Sequence, residues 1–263
     1  MNHDKFYSKA YFYDVAFRFK DIKSENDTLI NVFKEINSRP PKSFLDIAAG
    51  PAANAIEMAK RGIKSFAIDI SNEMVEYGKQ LALENDLTLT YLQADMCDFK
   101  LPEKVDVATI FMASTGYILT NEDMVKHLRA VWNSLNPQGV YVLEMLHPRD
   151  VFSVGKSTST AWEATDGDVK VSVRWGDESD IFDPITQIKM VTAHLKYQTP
   201  TESGEIVEQS KQREYTFQEM RALIKLSGTF ELVKMLGSWD IAVPFSNENS
   251  AWRMILILQK IGD

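Results

Sequence analysis

The sequence has one cysteine, Cys97, and no long apolar run among its 263 residues. A single cysteine excludes an internal disulfide framework and a multi-cysteine zinc or iron–sulfur site. The apolar run 254–258 is far too short to span a bilayer, and the N-terminus lacks the apolar stretch of a secretory signal. The net charge of −8, without a basic stripe, argues against nucleic-acid binding. We therefore expect a cytoplasmic protein with no membrane or nucleic-acid partner.

Strand and helix patterns alternate over the first half of the sequence. Short apolar strands are predicted at 43–48, 64–70, 87–93, 105–112 and 140–146, and helices at 24–37, 52–61, 72–85 and 122–135. Such alternation predicts a doubly wound, parallel α/β sheet, which binds ligands at the carboxyl ends of its strands. We therefore expect a Rossmann-like core.

The pattern changes after Leu146, where strands follow one another without helices between them. The predicted strands are 168–175, 185–197 and 205–215, and a final pair at 230–236 and 252–259. The first three should pair antiparallel. A capping-box pattern, Thr216 to Glu219, predicts a helix before the final pair. An antiparallel β insertion therefore interrupts the core after its fifth strand.

The first 23 residues are unusually aromatic. Their rings are Phe6, Tyr7, Tyr11, Phe12, Tyr13, Phe17 and Phe19. So many rings are costly to leave in water, and we expect this segment to pack on the body of the protein.

The strongest functional signal lies between the first two strands. The small-residue stretch 46–54 ends a strand and opens a helix, so its backbone N–H groups can approach an anionic ligand. Asp69 ends the second strand, 69 − 50 = 19 residues after Gly50. A carboxylate at this distance accepts hydrogen bonds from a ribose, so the spacing predicts a nucleoside site.

Two kinds of nucleoside site remain open on these residues. The stretch 50–55 can be an altered dinucleotide motif, G-x-G-x-x-A, with Ala52 where a glycine normally meets the pyrophosphate. The segment 93–99 favours a different ligand. There, Asp95 can accept a hydrogen bond from an adenine amino group, and Met96 can cover the ring.

Taken in order, these motifs resemble those of class I S-adenosylmethionine-dependent methyltransferases. The matching stretches are FLDIAAGPAANAIEMAKRG, SNEMV after Asp69, QADMCDF, VDVATIFMASTGYIL, LNPQGVYVLEML and REYTFQEMRALIKLSGTFELV. The resemblance extends from about Tyr11 to Gln259. It implies a seven-stranded methyltransferase sheet, S-adenosylmethionine as cofactor and S-adenosylhomocysteine as product. YDVAFRFKDIKSENDTL and the β insertion are similar to the subgroup that acts on small molecules, including sugar N-methyltransferases.

The resemblance also implies roles for matching residues. Asp46 and the backbone of 48–52 would flank the methionyl end, and Asp69 would hold the ribose hydroxyls. Other residues would contact the adenine, lie under the sulfonium or close the site, with Arg18 as a carboxylate partner. The implied cofactor-binding residues are Tyr13, Arg18, Asp46, Ala48, Gly50, Asp69, Ile70, Met74, Asp95, Met96, Phe111 and Met112.

The implied organisation has three parts. Residues 1–41 are an aromatic segment and helix that form a cofactor lid. Residues 42–148 and 213–263 form the methyltransferase domain. Residues 149–212 are the β insertion, on the substrate side or in a dimer contact, so the chain is expected to be a monomer or a homodimer.

One position departs from the family pattern. Ala52 stands where the family usually has glycine, and a β-carbon there costs affinity if the backbone needs a positive φ or a closer ligand contact. Ala48, Ala49 and Ala52 together also suit a noncatalytic, nucleoside-binding homologue. Two further enzyme classes are less well matched. Ala52 and the Asp95–Met96 element disfavour an NAD(P)-dependent oxidoreductase, and the net charge disfavours an RNA methyltransferase.

Residues after the fourth and fifth strands are candidates for contact with a small-molecule acceptor. His147 follows the fifth strand and can titrate near neutrality, so it is a candidate base, with Tyr117 as a second catalytic candidate. Ser114, Arg174 and Trp239 are candidate substrate contacts. No spacing suggests a metal site. The acceptor itself, and whether it presents nitrogen or oxygen, is left open.

Overall fold

A seven-stranded sheet forms the centre of the computed structural model, which describes residues 9–152 and 159–262. Phe6 and Tyr7 lie outside these residues. The strands are β1 (Ser43–Ile47), β2 (Lys64–Asp69), β3 (Leu89–Gln93), β4 (Val105–Ile110), β5 (Leu135–Leu146), β11 (Phe230–Leu236) and β12 (Arg253–Lys260). Their spatial order is β3-β2-β1-β4-β5-β12-β11. Only β12 runs against the others in this sheet, because it pairs antiparallel with both β5 and β11.

Helices cover both faces of this sheet. They are α1 (Ala10–Phe17), α2 (Ile22–Asn37), α3 (Ala53–Lys60), α4 (Asn72–Glu84), α5 (Asn121–Ser134), α6 (Pro148–Val151) and α7 (Phe217–Ser227), with a 3₁₀ turn at Ser114–Tyr117. On one face, α2 and α3 bury side chains such as Phe33 and Met58. On the other, α5 and α7 bury Leu128 and Met220. The buried, largely apolar strands agree with the predicted doubly wound sheet.

A second, antiparallel sheet follows β5. Its strands are β6 (Thr160–Asp166), β7 (Val169–Trp175), β8 (Phe182–Asp183), β9 (Ile188–Gln198) and β10 (Ser203–Arg213). The order is β6-β7-β9-β10, and β8 pairs with β9. The predicted β insertion and the antiparallel pairing of its three main strands are confirmed.

The aromatic helix α1 joins the two sheets. Phe12, Val15 and Ala16 pack on Val173 and Leu195 of the insertion. Full burial of a side chain the size of Phe12 is worth about 1.5–3 kcal/mol. The packing predicted for the aromatic segment is therefore confirmed for this helix, whereas Phe19 beyond its end is exposed.

Residues 136–139, which lie between the predicted helix 122–135 and the predicted strand 140–146, form the start of β5. Gln138 has a positive φ of 62°, and the pairing with β4 shifts register between Val105 and Val107. The chain therefore turns within the strand's first residues. None of the helices in the described ranges is both long and apolar enough to cross a membrane.

Candidate functional site

The loop after β1 is a tight turn with several left-handed residues. Ala48, Gly50 and Ala52 have φ values of 53°, 53° and 61°. For a residue with a β-carbon this conformation costs about 1–2 kcal/mol. The Ala49 N–H donates to the Ile68 carbonyl of β2, 3.0 Å away, which fixes the turn against the neighbouring strand.

Ala52 therefore does occupy a glycine-like conformation. Its methyl group, however, is completely buried in the apolar cluster around Leu29 and Phe33, and Ala52 is not among the residues that line the cavity described below. The departure from the family pattern therefore costs backbone strain, and the added methyl group does not line the cavity.

Asp69 connects the loops that follow β1 and β2. One carboxylate oxygen accepts from the Gly50 N–H at 2.8 Å, and the other accepts from the Ser71 N–H at 2.9 Å. Burial raises the pKa of Asp69, and these backbone donors partly offset the rise. The carboxylate is thus held in a fixed orientation beside the glycine loop.

A cavity of about 360 Å³ opens between α1, the loop after β1 and the loop after β4. This volume lies within the usual range for small-molecule sites. The lining residues are Tyr13, Asp14, Phe17, Arg18, Lys20, Ile22, Asp46, Ala48, Ala49, Gly50, Pro51, Ala53, Asn54, Phe111, Met112 and Ser114. The cavity therefore contains the methionyl-end and sulfonium residues implied by the family resemblance.

A buried charge cluster, which sequence reasoning missed, lies at this cavity. The Lys20 ammonium lies 3.3 Å from Glu25 and 3.4 Å from the Asn54 side-chain oxygen. It also stands 4.8 Å from the centre of the Phe111 ring. Only 12% of the Lys20 side chain is exposed. A cation is therefore held next to the apolar end of the cavity.

Asp46 adds a second carboxyl group to this cavity. Burial raises its pKa to about 8, while the nearby Lys20 lowers it and Glu25 raises it. Burial also raises the pKa of Glu25. Lys20 is therefore close to two buried carboxyl groups, those of Glu25 and Asp46, and lowers the pKa of both. Because the pKa of Asp46 is still about 8, its carboxyl group is protonated near neutral pH.

Tyr13 and Arg18 both lie on this cavity, with different partners. Tyr13 stacks on Phe17 at 4.3 Å between ring centres, and burial raises its pKa, so its hydroxyl stays protonated. The Arg18 guanidinium contacts Asp14 at 2.8 Å and Asp166 at 2.6 Å. Lys20 is also paired with a carboxylate, Glu25, but its side chain is 12% exposed against 45% for Arg18, and it lies beside Phe111 in the cavity. Lys20 is therefore the better placed carboxylate partner.

The residues predicted to contact an adenine follow the ends of β2 and β3. Ile70 and Asp95 are exposed at this edge. The Met96 carbonyl accepts a hydrogen bond from the His127 ring at 2.8 Å, which holds the loop after β3. Met74, however, is completely buried under this edge. A direct contact between Met74 and a ligand is therefore not supported.

His147 does not have the geometry of a base. Its Nδ1 accepts from the Arg149 N–H at 3.1 Å, and its Nε2 lies 3.0 Å from the Ser246 carbonyl. Both ring nitrogens are thus used by the backbone, and the residue caps α6. The structure therefore does not support a base role for His147, since the Arg149 N–H and the Ser246 carbonyl both contact its ring nitrogens.

Two predicted substrate contacts lie away from the cavity. Arg174 bonds to His194 and Asp177, and by strand alternation it lies on the opposite sheet face from Val173, which packs on α1. Trp239 is buried behind Phe111, with ring centres 5.1 Å apart. Neither prediction is supported.

Ser114 and Tyr117 are better placed. Ser114 lines the cavity, and its hydroxyl donates to the Phe111 carbonyl at 2.9 Å. Tyr117 ends the 3₁₀ turn and is close enough to Tyr13 to raise its pKa. Within the described ranges, no cluster of histidine, cysteine and acidic residues could hold a metal ion.

Comparison with known proteins agrees with this geometry. Residues 44–139 match the family model described as "Methyltransferase domain". This stretch of the chain is similar to that family. The matched stretch contains the Gly50 loop, Asp69 and the Phe111–Met112 loop, and it agrees with the predicted resemblance to class I S-adenosylmethionine-dependent methyltransferases.

Relatives of the methyltransferase domain are distant. Over 110 residues the chain is 27% identical to "Putative methyltransferase YqeM" of Bacillus subtilis, covering 41% of this chain and 44% of that protein. Over 136 residues it is 28% identical to a dTDP-3-amino-3,4,6-trideoxy-alpha-D-glucopyranose N,N-dimethyltransferase of Streptomyces venezuelae, covering 50% and 54%. These alignments span only about half of the curated relatives.

The fold match extends further than the sequence match. An S-adenosylmethionine-dependent methyltransferase from Clostridium acetobutylicum superposes with a TM-score of 0.78 at 20% identity, covering 98% of this chain and 99% of that one. The β insertion and α1 are therefore part of a shared architecture around the methyltransferase domain.

Proposed function

We propose that this protein transfers a methyl group from S-adenosylmethionine to an amine nitrogen of a small molecule. The observation that carries the proposal is one continuous cavity. It runs from the Gly50 loop, which is joined to Asp69, to Phe111 and Met112 at the end of β4. This arrangement places a nucleoside-binding edge next to a partly apolar reaction chamber.

The cavity residues fit this cofactor. Its amino-acid end carries one carboxylate and one ammonium group, and the cavity presents the Lys20 cation and the Asp46 carboxyl group, whose oxygens can accept a hydrogen bond from an ammonium group. Asp69, oriented by two backbone N–H groups, is suited to accept from the ribose hydroxyls. Asp95 and Met96, at the neighbouring strand end, are our candidates for the adenine.

The bound cofactor supplies a methyl group on a sulfonium, which needs no further activation for in-line displacement. The chain mainly has to orient the reactants, and orientation can provide about 7–11 kcal/mol of the barrier. Phe111 and Met112 form an apolar wall that excludes water from the reacting atoms. The protonated hydroxyl of Tyr13 can donate a hydrogen bond to a bound group.

An amine acceptor suits this site better than a hydroxyl. A neutral amine nitrogen has a lone pair that can form the new bond to the methyl carbon, while the carbon–sulfur bond breaks and S-adenosylhomocysteine leaves. The resulting ammonium group can then release its proton to water. A hydroxyl usually needs a base during transfer, and both nitrogens of His147 are occupied. The Streptomyces venezuelae relative is named as an N,N-dimethyltransferase of an amino sugar, which supports the same acceptor class.

Three further assignments form part of this proposal. The described part of residues 1–41 acts as a lid, since α1 roofs the cavity. Residues 42–148 and 213–263 bind the cofactor, and 149–212 supports the lid on the acceptor side. The Ala52 methyl lies in the core, so Ala52 by itself does not favour a noncatalytic homologue, whereas Ala48 and Ala49 do line the cavity.

Incubation with S-adenosylmethionine carrying a tritiated methyl group tests the acceptor class. The matched acceptors are a nucleotide-linked amino sugar and the same compound with a hydroxyl in place of the amine. We expect label in the amino sugar alone. Label in the hydroxyl compound alone would contradict the amine assignment, and cofactor binding without transfer to any amine or hydroxyl acceptor would favour a noncatalytic homologue.

A further inference from the structure

The loop after β4 is held in an unusual conformation. Met112 and Ala113 are consecutive residues with positive φ values, 54° and 55°. Side chains with a β-carbon rarely adopt this conformation, so surrounding contacts have to maintain it. The loop matters because Phe111, Met112 and Ser114 line the cavity.

Glu144 provides one of those contacts. It lies near the carboxyl end of β5 and is only 1% exposed. One of its carboxylate oxygens accepts the Met112 N–H at 2.7 Å. The bond is made to the backbone of a left-handed residue, so it fixes the direction in which the chain leaves β4.

Arg253 neutralises this buried carboxylate. Its Nε donates to the other Glu144 oxygen at 2.7 Å. The two residues are diagonal neighbours on adjacent strands, since Glu144 pairs with Ile255 and Leu146 pairs with Arg253. Strand β12, which carries Arg253, therefore helps to shape the reaction chamber.

We propose that Glu144 is a positioning residue for methyl transfer, which acts through the Met112 N–H to set the place of the loop 111–114 around the transferred methyl group. This inference rests on the proposed function. Small errors in the position of reacting groups can cost about 10²-fold in rate. The loop should therefore distinguish S-adenosylmethionine, which carries the methyl group, from S-adenosylhomocysteine, which lacks it.

Two double variants isolate this hydrogen bond. Glu144→Gln with Arg253→Met keeps an acceptor for the Met112 N–H and removes the ion pair. Glu144→Met with Arg253→Met removes both. Neither variant leaves an unpaired buried charge, and apolar replacement of a buried ion pair is often tolerated. The two double variants therefore differ only in the side chain at position 144, which faces the Met112 N–H.

Calorimetric titration with both ligands measures the preference for S-adenosylmethionine over S-adenosylhomocysteine. We expect the Gln variant to keep the wild-type ratio of dissociation constants within about threefold. We expect the Met variant to change that ratio about tenfold or more while binding S-adenosylhomocysteine almost normally. Equal ratios in the two variants would overturn the positioning role. Failure of the wild type to bind either ligand would instead overturn the proposed function itself.

A single substitution provides an independent test if the double variant Glu144→Met with Arg253→Met does not fold. Ala113→Gly makes the left-handed conformation free of strain and widens the range of conformations open to the loop. It leaves Glu144 and Arg253 untouched. We expect this variant to fold and to reduce the preference for S-adenosylmethionine by a few fold. An unchanged preference would overturn the inference.

Discussion

Replacement of Asp46 by asparagine is the sharpest test of the charge cluster. Burial raises the pKa of Asp46 to about 8 in the folded protein, against about 3.9 for an aspartate in an unfolded chain. Between these values the folded state holds a proton that the unfolded state releases. The free energy of unfolding must therefore fall as the pH rises through this window.

The size of the effect follows from the two pKa values. They differ by about four pH units, which corresponds to about 5 kcal/mol between pH 4 and pH 8. Asparagine imitates the neutral form and can accept the same hydrogen bond from the Ala55 backbone. Asp46→Asn should thus leave stability unchanged near pH 4 and raise it by several kcal/mol at pH 8.

Urea denaturation of both proteins at pH 5, 6, 7 and 8, without ligand, measures this difference. Glu25 contributes in the same direction, so the comparison of wild type with variant isolates Asp46. Asp27→Asn is the matched control, because Asp27 is an exposed acid on α2. If wild type and Asp46→Asn have parallel stability profiles from pH 5 to pH 8, the carboxyl group is ionised in the fold and the charge cluster is wrongly described.

Four other substitutions test separate parts of the site. Ala52→Gly should change cofactor affinity less than about threefold and stability by less than about 1 kcal/mol, because relief of strain offsets the lost methyl burial; calorimetry and denaturation measure both. Lys20→Met should weaken cofactor binding about tenfold or more, whereas Arg18→Ala should change it less than about threefold; similar losses would show that Arg18 shares the carboxylate. His147→Ala should lower stability by about 1–2 kcal/mol through the lost cap, without altering the pH profile of transfer.

Much of the core could be predicted because local patterns determine it. The strands of the sheet are short, apolar and separated by helical periodicity, so their order along the chain predicts the doubly wound topology. The link between Gly50 and Asp69 could also be predicted, since a loop after one strand and an acid after the next share one sheet edge.

Residues that function through long-range packing could not be predicted in the same way. Lys20 lies in a polar stretch whose sequence gives no sign of burial, and only the packing of α1 and α2 over the strand ends brings it to Phe111. Glu144 similarly depends on Arg253, 109 residues later. The contact of His147 with the Ser246 carbonyl, 99 residues later, could not be predicted for the same reason.

The insertion shows a related limit. The sequence pattern does not reveal β6, because its residues, TAWEATD, contain one large apolar side chain, Trp162. That side chain is placed by α1, whose Ala16 carbonyl accepts from the indole N–H at 2.8 Å. A strand that packs against a helix distant in sequence, as β6 packs against α1, shows only a weak alternating pattern of apolar residues.

Titration of the purified protein with S-adenosylmethionine and S-adenosylhomocysteine in a calorimeter tests the central claim most directly. Asp69→Ala is measured beside the wild type, with Asp27→Ala as a control of equal charge change. We predict micromolar binding of both ligands to the wild type and to Asp27→Ala, and a loss of about 100-fold in Asp69→Ala. A folded wild-type protein that binds neither ligand, or an Asp69→Ala variant that binds as the wild type does, would contradict the account.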